Sequence, residues 1–160
     1  MLKTKLKKSN QKGFTLIELL VVISVLGVLF AILLPNMIGV RLRARDTQKK
    51  NDLRQLKAAL RLYYNDFQIY PDSSNGAILG CGPVGDIACP NDDGSFAAGD
   101  NVYMKELMAE DDFVYEQAVG GDDFLLYSIL ENPSDADIAA SVEHCNVAAA
   151  EEGAFYICAD

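Results

Sequence analysis

The sequence runs to 160 residues, half of them apolar, with a formal charge of −9, four cysteines and one histidine. That leaves room for one modest domain beside a long apolar segment. A lone His144, with no G-x-S-x-G and no phosphate-cradling glycine loop, excludes the common hydrolase and nucleotide-binding signatures, so no enzyme is expected.

The charge is sharply partitioned along the chain. Residues 1–13 hold five Lys and no acid, residues 41–70 hold eight basic against three acidic residues, and residues 71–160 hold nineteen acids against Lys105 alone. An outer region this acidic repels nucleic acid phosphate, and no nucleic acid partner is expected.

After the basic segment comes GFTLIELLVVISVLGVLFAILLPNMIGV, which carries a single charge, Glu18. From Leu19 to Val40 there are twenty-two uncharged residues. At about 1.5 Å each they suffice to cross a hydrocarbon core of about 30 Å. A secretory signal peptide places a small-residue cleavage site after its apolar core, but RLRARD follows here. Lys3, Lys5, Lys7, Lys8 and Lys12 favour a cytoplasmic N-terminus, while Arg41, Arg43 and Arg45 at the far end oppose it. The cysteines, all beyond the apolar run, tip the orientation toward N-terminus inside and head outside.

The segment Lys12-Gly13-Phe14-Thr15-Leu16-Ile17-Glu18 resembles the processing motif of type IV pilins and type II secretion pseudopilins. The resemblance implies that a prepilin peptidase cuts after Gly13, methylates the new N-terminal Phe14, and leaves the apolar helix on the mature subunit. Removing five lysines would take the mature chain from −9 to −14. Glu18 is the costly residue, because a carboxylate beside a bilayer core needs a partner. Thr15-x-x-Glu18 fits a capping box at a helix start. The resemblance implies a second role, in which Glu18 pairs with the N-terminal amine of an adjacent subunit and sets the register of assembly. Gly27, Pro35 and Gly39 read as a packing notch and a kink. In the family a proline and a glycine often occupy these offsets, which makes residues 31–39 the stretch that would unwind during assembly.

Past Arg41 the helical pattern becomes amphipathic. Leu53, Leu56, Leu60, Tyr63 and Phe67 recur at spacings of three and four and share one face, with the basic residues largely elsewhere. Tyr70-Pro71 closes the helix. A helix from Phe14 to Phe67 would measure about 80 Å. Its basic stripe is either a solvated helix face, a nucleic acid or lipid contact, or a surface that meets the acidic head of a neighbouring subunit.

Residues 72–101, rich in Gly, Asp, Asn, Ser and Pro, are expected to form a long connecting loop. Tyr103–Ala109 is expected as a short helix, Phe113–Val119 and Phe124–Leu130 as strands joined by a Gly120-Gly121 turn, Pro133-Ser134-Asp135 as a helical turn, and Ala154–Cys158 as a last strand. The predicted head is a three-stranded antiparallel sheet under the Leu/Tyr/Phe stripe. Tyr70-Pro71, Phe113-x-Tyr115 and Leu126-Tyr127-x-x-Leu130-Glu131 follow the same family's head pattern more loosely.

An even number of cysteines in an exported head favours two disulfides, and four cysteines allow three pairings. The nearest-neighbour pairing, Cys81–Cys89 with Cys145–Cys158, is the expectation. Its second bridge would resemble the C-terminal disulfide loop of many type IV pilins. Without C-x-x-C and with one histidine, zinc is not expected. The acid pairs Asp92/Asp93, Asp122/Asp123 and Asp135/Asp137 raise calcium, which some major pseudopilins bind, but no EF-hand spacing accompanies them. No cofactor is expected.

The chain therefore reads as an α+β protein with a cleaved leader (1–13), a transmembrane assembly helix (14–40), an amphipathic continuation (41–70) and an acidic disulfide-bonded head (71–160). The expected function is a structural subunit of a type IV filament, with a pilus pilin first and a type II secretion pseudopilin as the alternative. Expected partners are further copies of the chain, the prepilin peptidase and methylase, an inner-membrane assembly platform with its ATPase motor, and the membrane. The expected location is the inner membrane before assembly, then a surface pilus or envelope pseudopilus. From another class, a single-pass anchored binding module predicts an uncut leader and monomers.

Overall fold

The computed structural model describes residues 13–33 and 37–159. The chain divides into two compact units, Met1–Val40 and Arg41–Asp160. The helix α1 spans Leu16–Leu33 and α2 spans Met37–Phe67. Among the described residues eight strands, one more α-helix and a short 3-10 turn at Glu110–Asp112 follow: β1 Asp72–Ser74, β2 Ala77–Cys81, β3 Ile87–Ala88, β4 Phe96–Ala98, β5 Asn101–Met104, β6 Val114–Gln117, β7 Phe124–Ile129, α3 Ala136–His144 and β8 Ala154–Cys158. The architecture is α+β, with long helix first and antiparallel sheets after it.

Within the second unit the apolar stripe of α2 is the floor of the core. Leu53, Leu56 and Leu60 are fully buried and Tyr63 nearly so, packed in one cluster with Ile78, Phe96, Tyr115, Phe124 and Leu126. Three small antiparallel sheets, β1-β2-β3, β4-β5 and β6-β7-β8, share that cluster. The last is set by alternation: Phe124, Leu126 and Ser128 point inward on β7, which pairs with β6 from Val114↔Tyr127 to Gln117↔Phe124 and with β8 from Leu125↔Cys158 to Ile129↔Ala154. Gly121 has φ +75° in the β6–β7 turn, and a Cβ there would collide with Ile69, so glycine is required on both counts.

Both edges of that sheet are covered, which keeps them from pairing with other chains. Tyr115 N donates to Gly76 O (2.8 Å) and Gln117 N to Ser73 Oγ (3.1 Å), so the β1–β2 hairpin lies along β6. On the far side Tyr156 N donates to Ser141 Oγ (3.0 Å), which places α3 along β8. The buried Tyr115 hydroxyl donates to Pro71 O at 2.7 Å and fixes the chain where α2 gives way to β1.

Several expectations are corrected. Residues 72–101 are no long loop: they hold β1 to β4, whose strands of two to five residues hide among turn-forming Gly, Asn and Asp. Tyr103–Ala109 is not a helix, because Asn101–Met104 pairs with Phe96–Ala98 as β5. The helical opening expected at Pro133-Ser134-Asp135 is present and runs on beyond one turn as the nine-residue α3, whose N-cap Asp135 accepts from Asp137 N at 2.9 Å. Phe67 lies at the exposed end of the stripe, where its ring meets Tyr63 with centroids 4.4 Å apart.

The charged face of α2 also departs from expectation, since two of its residues are buried. Asp46 accepts from Glu131 N (2.7 Å) and Asn132 N (3.0 Å), satisfying two backbone donors in the β7–α3 connection. One turn on, the Lys50 ammonium lies 2.9 Å from Asp135 and 2.8 Å from Asp137, and Arg45 meets Glu131 at 3.1 Å. Part of the basic stripe thus binds the head of its own chain rather than a neighbour's. Burial pulls the Lys50 ammonium toward neutrality, but the bonds to Asp137 and Asp135 outweigh it and raise its pKa. The Lys50 bond, with that from Asp137 N, holds the Asp135 carboxyl below the usual range.

A raised lysine contributes stability below about pH 10 that is lost as pH rises through its folded pKa. A lowered aspartate contributes above about pH 4 and is lost as pH falls through its folded pKa. The urea midpoint of the purified chain is therefore expected to be flat across neutral pH and to fall in strong acid. Lys50→Met should lower the plateau and flatten the acid slope; an unchanged slope would remove Lys50 from the clamp.

Candidate functional site

Gly13, Phe14 and Thr15 precede α1 without regular structure, and Phe14 is 90% exposed. A Cβ at Gly13 would meet nothing within 4 Å, so the described fold places no steric demand for glycine there. The start of α1 forms the capping box read from the sequence. Thr15 donates to Glu18 Oε2 from both its backbone N and its hydroxyl, each at 2.8 Å, and Glu18 N donates to Thr15 Oγ1 at 3.3 Å. Both bonds that Thr15 donates converge on Glu18 Oε2.

Behind Glu18 the helix is apolar on every side, and its Leu, Val, Ile and Phe side chains are exposed all round. Such a helix has no polar face to turn to water and requires an apolar surrounding. Among the described residues no helix is long and apolar enough to cross a membrane. The eighteen residues of α1 rise about 27 Å, short of a core of about 30 Å. Pro35 lies outside the described residues. A Cβ at Gly27 or Gly39 would meet nothing within 4 Å, so neither glycine makes a packing notch against its own chain.

The four cysteines form the nearest-neighbour bridges. Cys81–Cys89 joins the end of β2 to the residue after β3, with Cα atoms 5.2 Å apart, and Cys145–Cys158 joins the end of α3 to the end of β8 at 5.7 Å. Both spans are usual for a disulfide.

Comparison with known proteins bears on the N-terminus. Residues 8–34 match the model of the prokaryotic N-terminal methylation motif. The chain carries a prokaryotic N-terminal methylation motif, and its N-terminal part is similar to secretion core proteins G and a type IV major pilin. It is 39% identical over 67 residues to the type II secretion system core protein G of Pectobacterium carotovorum subsp. carotovorum, covering 42% of this chain and 43% of that protein. To the core protein G of Klebsiella pneumoniae it is 41% identical over 67 residues, covering 42% and 48%. To the type IV major pilin protein PilA of Myxococcus xanthus it is 36% identical over 66 residues, covering 41% and 30%. The chain thus spans half or less of the length of these curated relatives. No solved structure matches.

The pilin-type motif and the capping box coincide: the residues that carry the family resemblance are those that open α1. The acid pairs behave otherwise. Asp93 accepts from the backbone N (3.0 Å) and hydroxyl (2.6 Å) of Ser95, which lower its pKa. Asp123 accepts from Phe124 N and Ala159 N, while Asp135 and Asp137 hold Lys50. Among the described residues no group of three His, Cys, Asp or Glu side chains is placed to hold a metal ion.

Sequence reading missed Asp46 and Lys50, whose partners lie 85 to 87 residues away. The available signal was the like-charged pair Asp135/Asp137 opposite a lysine-rich helix.

Replacing Cys145 and Cys158 by serine is expected to cost about 3 kcal/mol from the thirteen-residue separation, and the Cys81/Cys89 pair somewhat less for its eight. Denaturant titration of each variant in detergent measures both, and a silent Cys145/Cys158 variant would contradict the assignment.

Proposed function

We propose that this chain is a structural subunit of a type IV filament, made as a prepilin, cut after Gly13, methylated at Phe14 and polymerised through its apolar helix. One observation carries the reading. The methylation motif over residues 8–34 coincides with a helix that is apolar on every face and has a single acid in its first turn. A helix of that kind needs lipid or copies of itself around it.

The basic leader keeps the N-terminus in the cytoplasm, where an inner-membrane peptidase and methylase act on it. The head lies outside, where the two disulfides form. Cleavage turns Phe14 into an ammonium, and methylation preserves that charge. Thr15 engages Oε2 of Glu18, so Oε1 remains for the amine of an adjacent subunit. An assembly platform and its ATPase motor then draw subunits from the membrane, the apolar helices bundle as the filament core, and the acidic heads face water. Gly27, Pro35 and Gly39 permit close helix approach and local unwinding in that bundle.

Two roles share this mechanism. The head, cross-braced by two disulfides, favours a surface pilus, where a subunit meets the unbuffered exterior. Similarity to several secretion core proteins G favours an envelope pseudopilus. Shearing separates them: recovery of the chain in the sheared surface fraction supports the pilus, and its retention in the envelope supports the pseudopilus.

Glu18→Ala tests the shared mechanism. The expected outcome is processed subunit held in the membrane with filaments absent or much shortened by electron microscopy. Filaments of normal length in that variant would sink the role given to Glu18.

A further inference from the structure

The β1–β2 turn is Asn75-Gly76, with φ +52° and +83°, closed by the Ser74↔Ala77 pair. A two-residue hairpin of this kind needs φ above zero at both central positions, which Asn and Gly accept most readily. Glycine is demanded twice at position 76, since a Cβ there would also lie 3.1 Å from Val114 Cγ1. The fold therefore places directly after an asparagine the one residue that adds no side-chain bulk beside its backbone amide.

A backbone nitrogen can attack the side-chain carbonyl of the asparagine before it and close a cyclic imide. The reaction needs a side-chain amide free to turn, a nitrogen that is neither crowded nor hydrogen-bonded, and access for water. Asn75 is exposed, and its side chain has no hydrogen-bond partner among the described residues. Gly76 N donates to none of them either, although Gly76 O accepts from Tyr115 N at 2.8 Å.

The other described asparagines each lack one of these conditions. Asn51 and Asn65 lie inside α2, where the following amide belongs to the helix ladder. Asn91 is held at both ends, accepting from Gly82 N and donating to Ala97 O, each at 3.1 Å. Asn101 donates to Asp66 at 3.2 Å. Asn132 precedes Pro133, which has no N–H. Asn146 precedes Val147, whose branched side chain crowds the nitrogen and whose N–H donates to Val142 O at 3.1 Å. Asp93-Gly94 could form the same imide, but Gly94 N donates to Asn91 O at 2.8 Å and Asp93 Oδ1 is taken by Ser95.

We infer that Asn75 is a site of spontaneous modification, converted through an imide to aspartate and isoaspartate. Gly76 N bonds to Asn75 Cγ, the Cγ–Nδ2 bond breaks, and the Gly76 amide proton leaves with Nδ2 as ammonia. Water then opens the ring. Cleavage at Cγ gives aspartate on the original backbone, and cleavage at the Asn75 backbone carbonyl gives isoaspartate, with the chain running through Cγ. Water is the only co-reactant. Either product puts a carboxylate on the turn, and isoaspartate also lengthens the backbone by one methylene. The lengthened turn loosens the Tyr115 N to Gly76 O bond, which helps hold the β1–β2 hairpin along the edge of β6.

The test keeps the full chain folded in detergent in mildly alkaline buffer, beside the same chain unfolded in urea, and follows both by peptide mass mapping. Amide-to-acid conversion at Asn75 should run several-fold faster than at any other asparagine of the folded chain. The product should be labelled by an isoaspartate-specific methyltransferase. Asn75→Gln should abolish that labelling, because its longer side chain needs a larger ring. Amide hydrogen exchange at Tyr115 should rise in the converted fraction. Intact Asn75 in the folded chain, once the unfolded chain has converted, would overturn the site. Conversion that leaves Tyr115 exchange unchanged would overturn the loosening at β6.

Discussion

The head depends on one constraint: its sheets have no core except the stripe of α2. Sheets of three, two and three strands are each too small to exclude water on their own. Leu53, Leu56, Leu60 and Tyr63 provide the common surface on which they meet, and Phe96, Tyr115, Phe124 and Leu126 close it. The helix is thus an internal part of the folded unit. The head has no complete core without it.

Electrostatics reinforce the same dependence. Asp46 and Lys50 sit one turn apart on α2 and grip the β7–α3 connection from both signs of charge, the acid on backbone amides and the lysine on Asp135 and Asp137. This fixes α3, which in turn covers the outer edge of β8, and the Cys145–Cys158 bridge secures the other end of that helix. A sheet edge left open would invite strand pairing with other chains.

Legibility in the sequence followed the strength of local patterns. The apolar run, the Gly13–Phe14 motif and the capping box were readable because each is contiguous. Strands β6, β7 and β8 were readable because Phe113–Val119, Phe124–Leu130 and Ala154–Cys158 carry β-forming residues between clear turns. The hairpins of residues 72–98 were not, since strands of two to five residues lack room for alternation and sit among Gly, Asn and Asp. The 103–109 segment misled because Met, Leu and Ala favour helix, while pairing with Phe96–Ala98 drew Asn101–Met104 into a strand. Asp46 and Lys50 looked like solvated charges, because nothing local signals a partner more than eighty residues away.

The account as a whole requires that the apolar helix stay on the mature chain and that a new amine appear beside Glu18. Intact-mass measurement of the chain recovered from its native membrane or filament fraction tests this most directly. The account predicts a species that lacks residues 1–13 and begins at a methylated Phe14. A mature species that retains the five-lysine leader would contradict it.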